Sequence, residues 1–312
     1  MKRYFISRSL QMLMVMLTVS FFTFGLSHLS PSDPAEIMLL SHDTMPTEEL
    51  LERTRAEMGL NETFLVQYFK WLRNVLRGDL GESYAFKKPV ITIIAHRIGM
   101  TFRLAFGALL ILVTTSLSLG ILSAIKQNKI ADYLIRGLSF GAISMPSFWL
   151  GLILIYCFAV KLHWFKIADQ YAFASIFLPS LTLAIPLTGK YIRQIRAAVL
   201  DEYTKDYVIG ARARGIREHR IIWGHVLPNA MLSILTLLGL SVAFLIGGTA
   251  IVENIFSWPG LGTMALNAIT NRDYPILQAY VLFMAFIYVG VNYMVDIVSQ
   301  MLYPMLKEEA GV

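Results

Sequence analysis

The sequence lacks the short motifs by which soluble enzymes bind phosphate or a catalytic metal. It has no G-x-x-x-x-G-K-[ST] phosphate loop, which excludes ATP hydrolysis of the P-loop kind by this chain. It has no H-E-x-x-H pair, and its six histidines are scattered. We therefore predict that the chain is not an enzyme and binds no cofactor itself, while metal-binding residues stay unknown.

Cysteine is almost absent. Cys157 is the only one, so an intrachain disulfide is excluded. Because it lies in an apolar run, we expect a buried thiol, which gives no indication of the redox compartment. The chain instead has 15 methionines, which suit the filling of apolar helices better than they indicate a soft metal site.

Charge is also scarce, since 15% of the 312 residues are charged and 56% are hydrophobic. One soluble core cannot bury so much apolar side chain, so the composition predicts an integral membrane protein. The formal net charge is +6, but the basic residues flank apolar runs instead of forming a soluble face. Nucleic acid is therefore excluded as a partner, and membrane lipid is expected.

Six uncharged runs are long enough to cross a bilayer core, for which a helix needs about 20 residues. We therefore predict an all-α integral membrane protein with six transmembrane helices in a single transmembrane domain, residues 1–312. The predicted spans are residues 10–29, 104–125, 137–160, 171–189, 229–252 and 274–295.

Basic residues mark the cytoplasmic side, because positively charged flanks stay inside during insertion. Lys2, Arg3 and Arg8 precede the first span, which places the amino terminus inside and, with six crossings, the carboxyl terminus as well. Segment 190–228 is then a cytoplasmic loop, and segment 30–97 is an extracytoplasmic insertion between the first two spans.

The insertion contains apolar and aromatic residues at helical spacing. They are Phe64, Tyr68, Trp71, Leu72 and Val75. An amphipathic helix with tyrosine and tryptophan beside the bilayer rests at the interface or against neighbouring spans, and we favour this interpretation over a ligand-binding face.

Prolines interrupt two of the predicted spans. Pro179 and Pro186 are expected to break the fourth span, and Pro146 lies in the third. At membrane depth such breaks free carbonyl groups, which must meet other helices or a water-filled path. Met145, beside Pro146, is therefore a candidate for such a path, although kinks that serve packing are commoner.

The segment after the fifth span has a carboxylate at the outer end of a helix. Glu253 either meets a cationic substrate or has a structural role, by pairing with Arg272 or capping backbone donors, and the structural role is favoured. Trp258-Pro259-Gly260 predicts a tight turn, with positive φ at the glycine, and then a short re-entrant or interfacial helix. Glu253 and Trp258 are the candidates for an outer gate.

The most basic segment, residues 206–229, contains a predicted helix, turn and helix. Gly215 interrupts the helix-forming residues, and its tolerance of positive φ allows a sharp change of direction. Gly210, Ala211 and Ala213 leave little side chain in the way, so the first helix suits a groove on another protein. Binding to anionic headgroups is the alternative, but glycine and alanine contribute little to it.

This segment resembles the cytoplasmic loop of ATP-binding-cassette (ABC) importer permeases. The family pattern is Glu-Ala-Ala, three residues, Gly, nine residues, an aliphatic residue, any residue and Leu-Pro. Gly215 and Leu227-Pro228 match it, and Ala211 holds the last Ala position, whereas Ile209, Gly210 and His225 depart from it. The resemblance implies a coupling loop that contacts the ATPases. The residues it assigns to coupling are Asp206, Tyr207, Gly210, Ala211, Ala213, Gly215, Leu227 and Pro228.

Further landmarks resemble one branch of this family, the first permease subunit of dipeptide, oligopeptide and nickel importers. They include Pro31-Ser-Asp-Pro-Ala35, Gly78-Asp-Leu-Gly81, Met145-Pro-Ser-Phe-Trp149, Phe256-Ser-Trp-Pro-Gly260 and Arg272-Asp-Tyr-Pro275, in the order of the branch. The resemblance implies the type I importer fold and the cell membrane of a prokaryote. It also implies three kinds of partner: a second permease subunit, two ATP-binding subunits that use the ATP, and an extracytoplasmic substrate-binding protein.

Two landmarks bear on the substrate. Gln278-Ala279-Tyr280 and Glu253-Asn254-Ile255-Phe256 resemble the nickel and metallophore members, so the resemblance implies half of a translocation path for nickel, as ion or chelate. Import of di- or oligopeptides is the alternative. A secondary transporter is less favoured because no internal repeat or mid-span ionisable residue is seen, and a channel because no filter-like pattern is seen.

Overall fold

The computed structural model describes residues 2–30, 33–41, 44–165 and 173–302, and in these ranges the chain is helical without a β-strand. The α-helices are α1 (Lys2–His28), α2 (Pro34–Ser41), α3 (Glu48–Glu57), α4 (Phe64–Leu76), α5 (Val90–Ile125), α6 (Ile130–Ser144), α7 (Ser147–Leu154), α8 (Phe177–Tyr203), α9 (Asp206–Ala213), α10 (Glu218–Ile221), α11 (Leu227–Gly247), α12 (Thr249–Ile255), α13 (Leu261–Thr270) and α14 (Tyr274–Leu302). The predicted all-α class is confirmed.

Two segments with wider π-type turns and one 3₁₀ segment complete the described secondary structure. The π segments are Ile155–Lys161, which follows α7, and Ile222–Val226, which precedes α11. The 3₁₀ segment, Phe173–Ile176, leads into α8. Cys157 lies in the first π segment and is half-buried, so it is more accessible than the sequence predicts.

Three described helices are long and apolar enough to span a membrane: Ile6–His28, Val90–Ile125 and Tyr274–Val298. The number rises to five if each of two bent helix pairs counts as one span. The predicted fourth span, residues 171–189, is not among them; its first residues lie outside the described ranges, and its remainder forms the start of α8. The count of six spans therefore stays a prediction.

The break in the predicted third span lies at Met145 and Pro146, where α6 and α7 meet at an angle of 102°. Met145 has extended backbone, with φ −89° and ψ 121°, because the residue before a proline is excluded from helical conformation. The expected break at Pro179 and Pro186 is wrong, since α8 runs unbroken from Phe177 to Tyr203. Pro179 lies in the first turn of α8, where a backbone N–H has no intrahelical acceptor, so the N–H that proline lacks is not needed.

The chain divides into two compact units, residues 1–101 with 259–289 and residues 102–258 with 290–312. In the first unit α4 lies against α1. Tyr68 is buried there, and its hydroxyl is 2.9 Å from Ser20 Oγ. Phe21 and Phe24 of α1 contact Phe64 and Tyr68 of α4 edge-on or tilted, with ring centroids 5.3 to 5.8 Å apart. The amphipathic stripe thus packs against a neighbouring apolar helix, as favoured from sequence.

The core of the first unit joins the start of α5, α13 and the start of α14. Its buried residues are Val90, Ile93, Ile94, Leu261, Met264, Ala268, Ile276 and Ala279. Thr101 Oγ1 of α5 accepts the backbone N–H of Leu261 at 2.8 Å, which satisfies an N–H that the first turn of α13 leaves without an intrahelical acceptor. The short helix predicted after Gly260 is therefore present, and it is a packed core element of its unit.

In the second unit α8 is the central helix, and it packs against α6, α7, α11 and α12. Glycine allows its closest approach to α6. A Cβ atom at Gly189 would lie 2.7 Å from the carbonyl oxygen of Ser139 and 3.0 Å from Cβ of Ala142. Small residues at helix contacts let backbones come this near, which increases van der Waals contact in a setting where lipid gives no hydrophobic drive.

A buried ion pair also joins α6 and α8. The Arg196 guanidinium donates two hydrogen bonds of 2.8 Å to Asp132, whose side chain is 0% exposed. Asp132 also accepts from Ser123 Oγ at 2.5 Å and from the backbone N–H of Asn128 at 3.0 Å. All its acceptor directions are thus used, which is what a buried carboxylate needs. We call Asp132, Arg196, Ser123 and Asn128 the α6–α8 clasp.

Candidate functional site

The turn predicted at Gly215 is present, and it ends α9. Gly215 has φ +76°, in the left-handed region that residues with a side chain rarely adopt. Its N–H donates to the carbonyl of Arg212 at 2.9 Å, and the N–H of Ile216 donates to that of Ala211 at 3.2 Å. This pair of bonds is a Schellman motif, which satisfies carbonyls at the helix end and reverses the chain.

α9 has an inner and an outer face. Val208 and Ala211 form the inner face and are 0% and 2% exposed. Asp206, Ile209, Gly210 and Ala213 are all exposed and follow the i, i+3, i+4, i+7 spacing of one helix side. We call these four the α9 outer face. The sequence predicts that Ala211 faces a partner, but the structure places its side chain against this chain.

Two of the four positions of the outer face, Gly210 and Ala213, carry little or no side chain. A Cβ atom added at Gly210 would meet no atom within 4 Å. Ile209 is the one large apolar side chain of the face, and more than half of it is exposed. At Gly210 and Ala213 another backbone or a groove wall can approach closely, while Ile209 offers an apolar side chain for contact.

Side chains fasten α9 to α8 and α10. Arg212 donates to both oxygens of Glu218, at 2.8 and 3.3 Å, and its guanidinium lies 4.5 Å from the ring centroid of Tyr203. The Tyr203 hydroxyl donates to the same Glu218 carboxylate. We call Tyr203, Arg212 and Glu218 the α9 clamp. Sequence reasoning missed the α9 clamp. Its three residues belong to three successive helices, α8, α9 and α10, and no spacing within one helix brings them together.

A second set of contacts lies where α8 turns into α9. Glu202 is buried and accepts from Lys205 Nζ at 2.6 Å and from the Tyr207 hydroxyl at 2.8 Å. The hydrogen bond to Glu202 raises the pKa of Lys205, and burial raises the pKa of Tyr207. Lys205 therefore stays charged and Tyr207 stays neutral near pH 7, so both donate to the carboxylate. Tyr207 thus positions α9 instead of facing outward.

Leu227 and Pro228 begin α11 at the far end of the loop. Leu227 is buried and Pro228 is exposed. Proline suits the first turn of a helix, because its fixed φ is helical and no N–H is needed there. The loop residues assigned from sequence are therefore split between the outer face, the inner supports and this helix start.

Glu253 and Trp258 lie close together at the end of α12. Both are buried, and the Trp258 N–H donates to the Glu253 carbonyl at 2.7 Å. The left-handed residue of this turn is Ser257, with φ +51°, whereas Gly260 has φ −96°, so the predicted positive φ at the glycine is wrong. Met145 is exposed at the α6–α7 break.

α12 packs on α7, the helix that follows Met145 after Pro146. A Cβ atom at Gly151 of α7 would lie 3.4 Å from the Phe256 ring and 3.5 Å from Ile255, which shows how near the two helices run. Among the residues that the structure describes, no group of three or more His, Cys, Asp or Glu side chains is placed to hold a metal ion.

Comparison with known proteins assigns the family. Residues 116–308 match the family described as binding-protein-dependent transport system inner membrane component, and residues 1–105 match its N-terminal component. The metal-staphylopine import system permease protein CntB of Staphylococcus aureus is 33% identical over 99% of this chain and all of that protein. The glutathione transport system permease protein GsiC of Pectobacterium atrosepticum is 34% identical over 98% of this chain and 99% of that protein.

A solved structure shares the fold. In the MetNI methionine ABC transporter, one chain superposes with a TM-score of 0.56 and 17% identity, and the match covers 68% of this chain and 96% of that one. The chain therefore belongs to the binding-protein-dependent transport system inner membrane component family. Within it, the chain is an ABC importer permease of the peptide and nickel type, as the resemblance implied.

Proposed function

We propose that this chain is the first permease subunit of an ABC importer and forms half of the translocation path for nickel, as ion or chelate. The observation that carries the transport mechanism is the α9 outer face, an exposed surface with small residues at Gly210 and Ala213, on a helix that the α9 clamp joins to α8 and α10. α9 follows α8 directly, and α8 packs against four other helices of its unit. A push on α9 therefore moves the helix that the rest of the unit surrounds.

The partners of this arrangement are those that the family resemblance implies. Two ATP-binding subunits provide the groove for α9 and use the ATP, while this chain binds no cofactor and catalyses no reaction. A second permease subunit completes the path, and an extracytoplasmic binding protein delivers the substrate. The family description, which names binding-protein-dependent transport, supports the last of these.

The topology that this function needs places α9 in the cytoplasm and segment 30–97 outside, with both termini inside. In a Cys157→Ala background, we expect an impermeant thiol reagent to label Glu52→Cys on intact cells and to leave Arg217→Cys unlabelled. Both positions are exposed, so accessibility within the chain does not limit either. Permeabilised cells should show both labelled, and labelling of Arg217→Cys alone on intact cells would invert the orientation.

Nickel import is supported by the Gln278-Ala279 and Glu253 landmarks and by the similarity to a metal-staphylopine permease. In cells that lack only this chain, we expect accumulation of labelled nickel to fall to background and uptake of labelled alanyl-alanine to change little. Complementation with the wild-type chain should restore nickel accumulation.

Peptide import is the second candidate, because a glutathione permease is as similar to this chain as the metal-staphylopine permease is. The same two uptake measurements separate the candidates. Unchanged nickel accumulation together with loss of alanyl-alanine uptake would replace the nickel assignment with the peptide one. If neither uptake falls, both assignments are wrong.

A further inference from the structure

One side of α8 stays open, although α8 is the central helix of the second unit. α6, α7, α11 and α12 pack on it, and α5 covers a further side, where a Cβ atom at Gly120 would lie 2.8 Å from Cγ2 of Ile195. Lys190, Arg193 and Ala197 are exposed and follow the i, i+3, i+7 spacing of a single helix side. We call these three residues the α8 open strip.

The two cations of this strip lie against aromatic rings of different helices. The Arg193 guanidinium is 4.7 Å from the ring centroid of Phe140 in α6, and Lys190 Nζ is 5.0 Å from the ring centroid of Phe244 in α11. Both rings are about half exposed. Because contact with a ring face restricts the rotamers of each cation, the two charges are positioned before any ligand arrives.

These contacts lie well inside the helices. At 1.5 Å per residue, Phe140 is about 15 Å along α6 from its first residue, and Phe244 is about 25 Å along α11 from its first residue. The sequence analysis assigns both cations to the cytoplasmic loop 190–228, but α8 continues through them to Tyr203. Ionisable side chains within membrane helices face a charge partner or a water-filled cavity, and they mark the pathways of substrates. The pair therefore needs a charge partner that lies against the open strip.

Within the part of the chain that the structure describes, neither cation has such a partner. Lys190 and Arg193 make no hydrogen bond and no ion pair there. Arg196, one turn further on, is already paired with Asp132. Asp201 is exposed on the same side of α8, but it is about 12 Å along the helix from Arg193. Like charges three residues apart on a helix repel each other, and an anion shared by both would remove that cost.

The chemistry of the pair selects a carboxylate. A guanidinium donates two parallel hydrogen bonds to a carboxylate, and an ammonium group adds a compact charge with three donors. Because Arg193 leans towards α6 and Lys190 towards α11, a ligand with more than one carboxylate can contact both. The apolar rings beside the cations lower the local dielectric and so strengthen an ion pair. A free Ni²⁺ ion would be repelled by both charges.

We propose that Lys190 and Arg193 bind carboxylate groups of the cargo, so that nickel passes as an anionic carboxylate chelate and not as the free ion. This inference rests on the proposed function, in which the chain forms half of a translocation path, and it adds that the α8 open strip faces that path. It narrows the cargo from ion or chelate to chelate. A peptide, the second candidate, carries the same group at its carboxyl terminus.

The test uses the complete importer in phosphatidylcholine nanodiscs, whose lipid has no net charge. Equilibrium dialysis measures the binding of labelled nickel that is supplied as its nitrilotriacetate complex, a carboxylate-bearing anion. The triethylenetetramine complex of nickel, a cation without carboxylates, is the matched probe. We expect saturable binding of the nitrilotriacetate complex and no saturable binding of the amine complex.

Variants then place the anion at the pair. Lys190→Gln combined with Arg193→Gln removes both charges and should weaken binding at least about tenfold, or ~1.4 kcal/mol. Lys190→Arg keeps the charge in a different shape and should bind as the wild type does, which separates charge from packing. Lys126→Gln removes an exposed cation from the turn before α6 and is the matched control, with no effect expected. Circular dichroism of each variant checks the fold.

Absence of saturable binding by the wild type, or equal binding by the double variant, would overturn the proposal. A second arm replaces phosphatidylcholine with phosphatidylglycerol and measures the retained lipid by native mass spectrometry. Retention of phosphatidylglycerol that depends on the pair, without binding of the chelate, would assign the pair to a lipid phosphate instead. The assay measures binding without uptake, so failure of this site and failure of the nickel assignment are separate results.

Discussion

Arg196→Leu should destabilise the chain by about 3–5 kcal/mol, the range found when one partner of a buried ion pair is removed. Asp132 is fully buried, and both of its carboxylate oxygens accept from the Arg196 guanidinium at 2.8 Å. Without the cation the buried carboxyl group loses its charge partner, which is costly whether it stays charged or takes up a proton, and α6 loses its ion pair with α8. The measurement is the free energy of unfolding of the purified chain in mixed micelles.

Arg193→Leu is the matched control, three residues away on the same helix. Arg193 is exposed, and its guanidinium lies 4.7 Å from the ring centroid of Phe140. Its removal should cost about 1 kcal/mol or less, as for an exposed cation–π contact.

The pair of substitutions Asp132→Asn and Arg196→Leu separates charge from packing. The neutral amide can accept from the backbone N–H of Asn128 and donate to Ser123 Oγ, so the pair should recover much of the loss caused by Arg196→Leu alone. If Arg196→Leu unfolds within about 1 kcal/mol of the wild type, the α6–α8 clasp has no role in stability of the size argued from buried ion pairs.

Ala213→Glu and Gly210→Glu should abolish stimulation of the partner ATPase while leaving the permease itself intact. Both positions lie on the α9 outer face, and a side chain at Gly210 meets no atom of this chain. Glutamate also favours helix more than glycine does, so the isolated loop tolerates it. In the assembled importer the new side chains add bulk and an unpaired charge where a groove should close, which is costly to desolvate.

Gly215→Val tests the same helix from its end. The left-handed backbone of Gly215, φ +76°, costs a residue with a side chain roughly 1–2 kcal/mol, so valine should shift the chain reversal and tilt α9. Stimulation by substrate-loaded binding protein is measured in reconstituted complexes at matched permease amounts, with Arg217→Ala as the exposed control. Full stimulation with Ala213→Glu and Gly215→Val together would remove α9 from the mechanism.

Ala211→Glu, which the loop pattern alone also recommends, is a poorer test. Ala211 is 2% exposed on the inner face of α9, so the glutamate would be buried in this chain and not in a partner. We expect this variant to disturb the loop and lower the amount of folded permease. Loss of uptake by Ala211→Glu would then say nothing about contact with the ATPases.

Much of the class and of the loop could be predicted from the sequence. Low charge and long apolar runs identify a membrane protein, because each depends only on local composition. Gly215 marks the turn after α9, because the preference for left-handed backbone belongs to the residue itself. The family followed from motifs in a fixed order, which also needs no knowledge of contacts.

Tertiary structure decided which surfaces those elements present. Periodicity places Gly210 and Ala211 on different sides of α9, but only the neighbours of α9 show which side is covered. Asp132 and Arg196 are 64 residues apart, and neither sequence context predicts the other. α8 continues through Pro186 because packing with four helices outweighs the hydrogen bond that proline removes. Long-range pairing and packing of this kind arise only when distant segments meet.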